Sequence, residues 1–294
     1  MNSAPNGPTL SLAALAARQL EGLPTAWLAF ATDDAAVAVM RLQPTDPPAL
    51  WASFVQGAER ARLDALIAPA DRARSVAAHG LARLLWAAAT GYPPQAGRWV
   101  VPGSGAKPRL ARVDAAAVAL AQGGTGASDG GALDIGDGVG ALDDLDVNVA
   151  HSGALVVCGV ALGRAIGVDV EVVRPTPDLD EVARKICDPI EYAAMPPSPG
   201  SPAWLDAFYR RWVAKEAALK ARGVGLAGDP QALIVDLAAT TARLWPVPQP
   251  DSLPPADLAL AELDVGPAAR AAVVLLGAAP PRWPMTTERL AAWD

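Results

Sequence analysis

The sequence predicts an α+β fold built from two similar halves in a pseudo-twofold arrangement. Short β-type runs flank a long amphipathic helix at about 70–92, and further runs flank a second helix at 204–223. Each helix carries basic residues and ends at a glycine, Gly91 or Gly223. A chain of 294 residues is long enough for two such halves. No sequence repeat proves the duplication, but a site at the junction of the halves is expected.

We expect three parts along the chain. Residues 1–22 are Ala-rich and predict a flexible N-terminal segment. Residues 23–146 form the N-terminal half, and residues 147–294 form the C-terminal half with the candidate metal site. Within the first half, residues 112–146 are rich in Gly and Asp and contain no aromatic residue. Because such a composition buries too little apolar surface to offset its ordering entropy, it predicts a flexible insertion.

Composition excludes several function classes. A net charge of −7 and a pI of about 4.9 disfavour general nucleic-acid binding. The longest apolar stretch is interrupted by Arg164, so no membrane helix is predicted, and no signal peptide is visible. Cys158 and Cys187 lie outside any C-x-x-C pattern, which excludes a zinc or redox motif of that type. We expect a cytoplasmic protein without nucleic-acid or membrane partners.

The stretch GVDVEVV, residues 167–173, predicts a strand with an unusual polar face. Its valines alternate with Asp169 and Glu171, so the two carboxylates point the same way. The preceding apolar strand is joined to it through Gly163 and Arg164, a connection that predicts a β-hairpin. The carboxylates either lie on the exposed face of an edge strand or share a cation.

The helix at 204–223 supplies a third carboxylate. Glu216 and Lys220 are four residues apart and share a face with aromatic residues. An i,i+4 salt bridge at the solvated edge of the helix is one interpretation. The other is a site with Asp169 and Glu171, because clustered carboxylates repel unless a cation joins them. Mg²⁺ accepts a few carboxylate oxygens and commonly bridges to substrate phosphate.

Other polar positions have two interpretations each. His151 stands in VNVAHSG, where Asn148 and Ser152 would suit phosphate binding, although a lone histidine is often structural. Lys107 lies in the Gly-rich stretch GSGAKPRL as either a solvated lysine or a phosphate contact; the Walker A pattern is missing. The letters G-x-S-x-G occur once, as GASDG at residues 126–130, but they lie in the Gly- and Asp-rich insertion, so no nucleophile elbow is predicted, which argues against a hydrolase. Four arginines near the first long helix are most simply surface charge: Arg60, Arg62, Arg72 and Arg74.

Four ordered motifs, GAKP, VNVAHSG, GVDVE and RWVAKEAALKARGVGL, give the chain a resemblance to a known family. It resembles the phosphopantetheinyl transferases of the larger, pseudo-dimeric, surfactin-synthetase-activating type. That family has roughly G-K-P, N-[IL]-S-H-S, G-[IV]-D-[IVL]-E and W-[ST]-x-K-E-A-x-x-K-x-x-G-x-G. The resemblance runs from about residue 59 to 235 and weakly to 276.

The resemblance implies a phosphopantetheinyl transferase-like fold with coenzyme A and Mg²⁺ between the halves. Asp169, Glu171 and Glu216 would surround Mg²⁺, which also holds the pyrophosphate of coenzyme A. Glu216 would help to deprotonate the acceptor serine. The resemblance also implies that several basic and polar residues contact the phosphates or position Glu216, namely His151, Lys107, Lys215, Lys220, Arg62, Arg74 and Ser75.

The implied reaction moves the 4′-phosphopantetheine arm of coenzyme A onto a serine of an apo carrier protein and releases adenosine 3′,5′-bisphosphate. Two joined halves imply a monomer. Two alternatives stay open: a non-catalytic module that binds the carrier protein or coenzyme A, and another Mg²⁺-dependent transferase acting on a nucleotide diphosphate. The chain departs from the family pattern at Ala106, Ala150 and Val213. These departures bear on coenzyme A affinity, because none removes a predicted metal ligand.

Overall fold

We analysed the chain in a computed structural model. It describes residues 11–23, 25–43, 51–55, 57–100, 107–112, 145–224, 228–237, 243–246 and 258–277. The predicted insertion at 112–146 lies outside these residues except at its two ends.

Two long helices dominate the described residues. Both have Pro in the first turn, where a missing N–H costs nothing, and both end at a glycine with positive φ, Gly91 at 73° and Gly223 at 71°. The helices are α1 (Leu12–Leu20), α2 (Gly57–Asp64), α3 (Pro69–Thr90), α4 (Leu179–Ile186), α5 (Pro189–Ala193) and α6 (Pro202–Arg222).

The strands form four antiparallel sheets within the described residues, two of them two-stranded. The larger sheets have the orders β1-β2-β6-β5 and β10-β11-β7. The strands are β1 (Ala26–Ala31), β2 (Ala35–Arg41), β3 (Gly97–Val100), β4 (Arg109–Arg112), β5 (Leu145–Ser152), β6 (Leu155–Leu162), β7 (Ile166–Val172), β8 (Leu233–Asp236), β9 (Arg243–Pro246), β10 (Leu258–Leu263) and β11 (Ala269–Leu276).

The two halves repeat one arrangement. The order β2-β6-β5 in the first corresponds to β7-β11-β10 in the second. Helix α3 packs on β6 and α6 packs on the corresponding β11, whereas the second strand under each helix differs, β5 for α3 and β7 for α6. Each long helix is followed by a 3-10 turn of sequence PQA, Pro94–Ala96 or Pro230–Ala232, and then by a short hairpin, β3-β4 or β8-β9. The predicted fold of two similar α/β halves is confirmed.

The boundary between the halves differs from the expected division at residue 146. Strands β5 and β6 pair with each other, and β6 also pairs with β2, so both belong to the sheet of the N-terminal half. The expected hairpin of β6 and β7 is also wrong, because β2 and β5 already occupy both edges of β6. Strand β7 pairs instead with β11, and the chain changes sheets at residues 163–165.

The Ala-rich composition had led us to expect a flexible segment over residues 1–22, but part of this segment is helical. Residues 12–20 form α1, which begins with a hydrogen bond from the Ala14 amide to the Ser11 hydroxyl at 3.3 Å. Leu12, Ala16 and Leu20 recur every four residues and are buried on one face, which packs against α3. Residues 1–10 lie outside the described residues.

No helix within the described parts of the chain is long and apolar enough to cross a membrane. Both cysteines are buried free thiols.

Candidate functional site

A cleft of about 340 Å³ lies where β5 of the first half meets β7 and α6 of the second half. It brings together five residues singled out in the sequence, namely His151, Asp169, Glu171, Glu216 and Lys220. The cleft is lined by these and by Val149, Ala150 and Trp212.

Close packing of α6 on β7 places its carboxylate and ammonium beside the strand. A side chain at Gly167 would put its Cβ inside the contact distance of the Ala217 carbonyl oxygen and 2.5 Å from the Ala221 amide nitrogen. The helix backbone can therefore lie directly against the strand only because position 167 has no side chain. Two residues after Gly167 on β7, Asp169 contacts Lys220, which directly precedes Ala221 on α6.

Asp169 is a buried acid of the cleft whose pKa is strongly raised. Its Oδ1 accepts a hydrogen bond from Lys220 Nζ at 2.6 Å, whereas its Oδ2 is buried and has no hydrogen-bond partner among the described residues. Burial raises the pKa of Asp169 from 3.8 to about 7. Lys220 opposes this rise, and the nearby charges of Glu171 and Glu216 add to it. The carboxylate thus has one oxygen without a partner and two acidic neighbours.

Glu171 is held by Ser152, which the sequence analysis had associated with phosphate binding and not with a carboxylate. The Ser152 hydroxyl donates to Glu171 Oε2 at 2.7 Å and accepts from the Val172 amide at 3.1 Å. The alternation of polar residues at 146, 148 and 152 along β5 is the signal that could have identified it.

His151 lies between basic groups from both halves. Burial lowers the pKa of His151, and the charges of Arg74 and Lys220 lower it further. The imidazole is therefore neutral at pH 7 and can donate from one nitrogen and accept at the other. Arg74, near the start of α3, also donates to the Gly153 carbonyl at 3.1 Å, which ties α3 to the end of β5.

Two other expected phosphate contacts lie away from the cleft. Ser75 is half-buried beside Arg74 on α3, and Arg62 is exposed on α2. Neither residue lines the cleft.

Lys107, an expected phosphate contact, is hydrogen-bonded within the protein. Its ammonium contacts Asp146 Oδ2 and the Ile166 carbonyl, both at 2.5 Å, and its side chain is largely buried. Lys107 does not line the cleft. The acidic Asp146 at the start of β5 binds this lysine at the junction with β7.

Lys215, which the resemblance places near the phosphates or beside Glu216, makes its hydrogen bonds in the interior of the second half. Its ammonium is buried and contacts Glu191 Oε2 at 2.6 Å and the carbonyls of Pro230 and Leu233 at 2.9 and 2.5 Å. Adjacent helical residues point about 100° apart, so with Glu216 in the cleft Lys215 faces the interior.

Glu191 was missed by the sequence interpretation. Its two oxygens also accept the amides of Asp188 and Val235, so it links α5 to β8. The sequence D-P-x-E, a capping box, could have identified it.

The residues present fit a hard divalent cation. Among the described residues, no three His, Cys, Asp or Glu side chains are preassembled as a metal centre. The partnerless buried Oδ2 of Asp169, with Glu171 and Glu216 lining the same cleft, nevertheless offers oxygen donors of the type that Mg²⁺ prefers. Mg²⁺ usually takes only one or two carboxylates and completes its coordination with water and substrate phosphate.

Comparison with known proteins gives a family match that includes four of the five predicted cleft residues. Residues 165–246 match the family described as the 4′-phosphopantetheinyl transferase superfamily. The chain is 37% identical over 101 residues to 4′-phosphopantetheinyl transferase HetI of Nostoc sp., which covers 34% of this chain and 42% of the relative. It is 34% identical over 86 residues to 4′-phosphopantetheinyl transferase of Bacillus subtilis, which covers 29% of this chain and 37% of the relative. The chain thus spans less than half the length of these relatives.

Proposed function

We propose that the protein transfers the 4′-phosphopantetheine arm of coenzyme A to a serine hydroxyl of an apo carrier protein, with Mg²⁺ as cofactor. The observation that carries this proposal is the partnerless, buried Oδ2 of Asp169 in a cleft that also holds Glu171, Glu216 and Lys220. The superfamily match covers all four residues and supports coenzyme A as the substrate.

The reaction exchanges one P–O bond for another. The serine oxygen attacks the phosphorus that bears the pantetheine arm, and the bond from that phosphorus to the bridging pyrophosphate oxygen breaks. Adenosine 3′,5′-bisphosphate leaves, and the hydroxyl proton passes to a base. We assign the base to Glu216, a half-exposed carboxylate that lines the cleft.

Charge neutralisation comes from the chain's own cations and from the metal. Mg²⁺, held by Asp169, Glu171 and Glu216, would supply a Lewis acid that stabilises charge on the phosphates. Lys220 Nζ is the cleft's ammonium, so we assign it to the leaving phosphate. Neutral His151 then hydrogen-bonds a coenzyme A phosphate, and the neighbouring Arg74 adds a cation from the N-terminal half.

We propose the larger, pseudo-dimeric type of enzyme, acting as a monomer in the cytoplasm. The repeated arrangement of the two halves supports this type, because one chain supplies both walls of the cleft. The contacts of Arg62 and Ser75 with coenzyme A remain predictions of the family resemblance.

The test is to incubate the protein with coenzyme A, Mg²⁺ and an apo carrier protein and to quantify adenosine 3′,5′-bisphosphate by chromatography. We expect release that depends on both the carrier and Mg²⁺ and stops with EDTA. Carrier binding without release would support the non-catalytic alternative. Turnover of another nucleotide diphosphate without coenzyme A would support the alternative transferase.

A further inference from the structure

Strands β5 and β7 lie side by side in parallel at the junction of the halves, yet neither pairs its main chain with the other. The pairing partner of β5 is β6, and that of β7 is β11. Side chains of β5 accept hydrogen bonds from main-chain amides of β7 instead. Asp146 accepts from Ile166 at 2.8 Å, Asn148 from Val168 at 2.8 Å, and Ser152 from Val172 at 3.1 Å.

These three bonds, which we call the seam ladder, have a regular spacing. The acceptors occur at even positions of β5, and each donor lies 20 residues further along the chain. Side chains two residues apart point the same way along a strand, so all three face β7. Position 150 falls between two of these rungs, where Ala150 offers no side-chain acceptor.

The seam ladder provides hydrogen-bond acceptors for main-chain amides at the edge of β7. Strand β5 ends one sheet and β7 ends the other, so unpaired amides of β7 would face the junction. An unsatisfied buried amide costs about 1–3 kcal/mol, which the polar side chains avoid. Because the bonds connect defined residue pairs, they also fix the register of the carboxylates on β7 against His151 on β5.

Ser152 differs from the other two rungs in its second contact. Its hydroxyl donates to Glu171 Oε2 at 2.7 Å while it accepts from Val172, so the hydroxyl orientation is fixed. Among the described residues, the Asn148 side chain hydrogen-bonds to Val168 and to no cleft carboxylate, and Asp146 binds Lys107 outside the cleft. Ser152 is thus the one rung of the ladder that contacts a carboxylate of the cleft.

We propose that Ser152 is a positioning residue that holds one oxygen of Glu171 and leaves the other directed to the cation. This inference rests on the proposed function, since it assigns Glu171 to the Mg²⁺ site. Groups that hydrogen-bond a metal-ligating carboxylate fix its orientation, and their loss typically weakens metal binding or activity about 10–100-fold.

The experiment measures Mg²⁺ binding by calorimetry and thermal unfolding in the full chain, without carrier protein. We expect Ser152→Ala to weaken Mg²⁺ affinity about tenfold, while Ser152→Thr, which keeps the hydroxyl, stays within about twofold of the wild type. Asn148→Ala is the matched control because it removes a rung that does not contact Glu171. It should lower the melting temperature as Ser152→Ala does, with Mg²⁺ affinity unchanged.

Two results would overturn the proposal. One is unchanged Mg²⁺ affinity in Ser152→Ala. The other is an equal loss in Asn148→Ala, which would make Ser152 a purely structural rung. The binding measurement separates this inference from the proposed function. A wild type that binds Mg²⁺ but transfers nothing would refute the function and leave the Ser152 comparison decisive.

Discussion

Lys220 Nζ lies 2.6 Å from Oδ1 of Asp169, while Oδ2 of the same carboxylate is buried and has no hydrogen-bond partner among the described residues. The lysine on α6 and the aspartate on β7 thus join the two elements that carry the acidic groups. Because Lys220 binds Oδ1, the Oδ2 oxygen receives no hydrogen bond from the described residues. In our account that oxygen ligates the cation.

Asp169→Asn tests this assignment, because an amide keeps an acceptor for Lys220 but loses the charge. We expect the Mg²⁺ concentration for half-maximal activity to rise at least about tenfold, with little change in the urea midpoint. A metal titration of both proteins makes the measurement. An unchanged titration would remove Asp169 from the ligand set.

Lys215→Met should act on stability and not on the cleft. It leaves the buried Glu191 without its cation, and breaking a buried pair costs about 3–5 kcal/mol. We expect urea unfolding to show that loss, and the double variant Lys215→Met, Glu191→Gln to recover part of it. Mg²⁺ half-saturation should not change. A shifted metal titration with unchanged stability would restore Lys215 to the site.

Gly167→Ala should separate α6 from β7. The added Cβ meets main-chain atoms of Ala217 and Ala221, which cannot move independently of the helix, so we expect a loss of at least about 2 kcal/mol. Gly159→Ala in β6 is the control, because the three atoms nearest its Cβ would all be side-chain atoms of Ile166 and Val168, the closest being Ile166 Cδ1 at 2.7 Å. Equal unfolding free energies for the two variants would contradict the close-packing argument.

The N-terminal half has its own buried ion pair, and it predicts a pH dependence of stability. Glu59 accepts hydrogen bonds from His79 and from the fully buried Arg83. Burial alone would raise the pKa of Glu59, but these two partners outweigh it and hold the pKa below 4.5. The stabilisation is therefore fully present above pH 4.5 and is lost as the pH falls through the lowered folded value.

Glu59→Gln should reduce the loss of unfolding free energy that the wild type shows as the pH falls. We expect the difference in unfolding free energy between wild type and variant to be largest at neutral pH and to shrink toward pH 3, as measured by urea titrations. Glu181→Gln, which removes an exposed i,i+4 pair with Lys185, is the control and should lose unfolding free energy at acidic pH as the wild type does. A difference that is constant with pH would contradict the assignment.

The sequence predicted those cleft residues that are close to each other along the chain and share one face of a strand or helix. The i,i+2 spacing of Asp169 and Glu171 and the i,i+4 spacing of Glu216 and Lys220 place each pair on one face, and the structure brings the pairs together. Helical geometry could also have shown that Lys215 points away from Glu216. The seam ladder was not predictable, because it depends on which strands occupy each sheet edge.

The sequence predicted two similar halves but did not show which residues correspond between them. Glu59 pairs with Arg83, and Glu191 pairs with Lys215, each across 24 residues. The cation of each pair lies eight residues before the glycine that ends its helix. Because one position holds Arg and the other Lys, and the surrounding residues differ, the correspondence becomes visible only when both pairs are seen in place.

The most direct measurement of the central claim is the intact mass of an apo carrier protein after incubation with coenzyme A, Mg²⁺ and either wild type or Glu216→Gln. We predict that the wild type adds one phosphopantetheine arm, located on a serine by peptide mapping, and that the folded variant adds none. A carrier that gains the arm equally with Glu216→Gln would contradict the base assignment. A carrier left unmodified by the wild type, across several unrelated carriers, would contradict the proposed transfer itself.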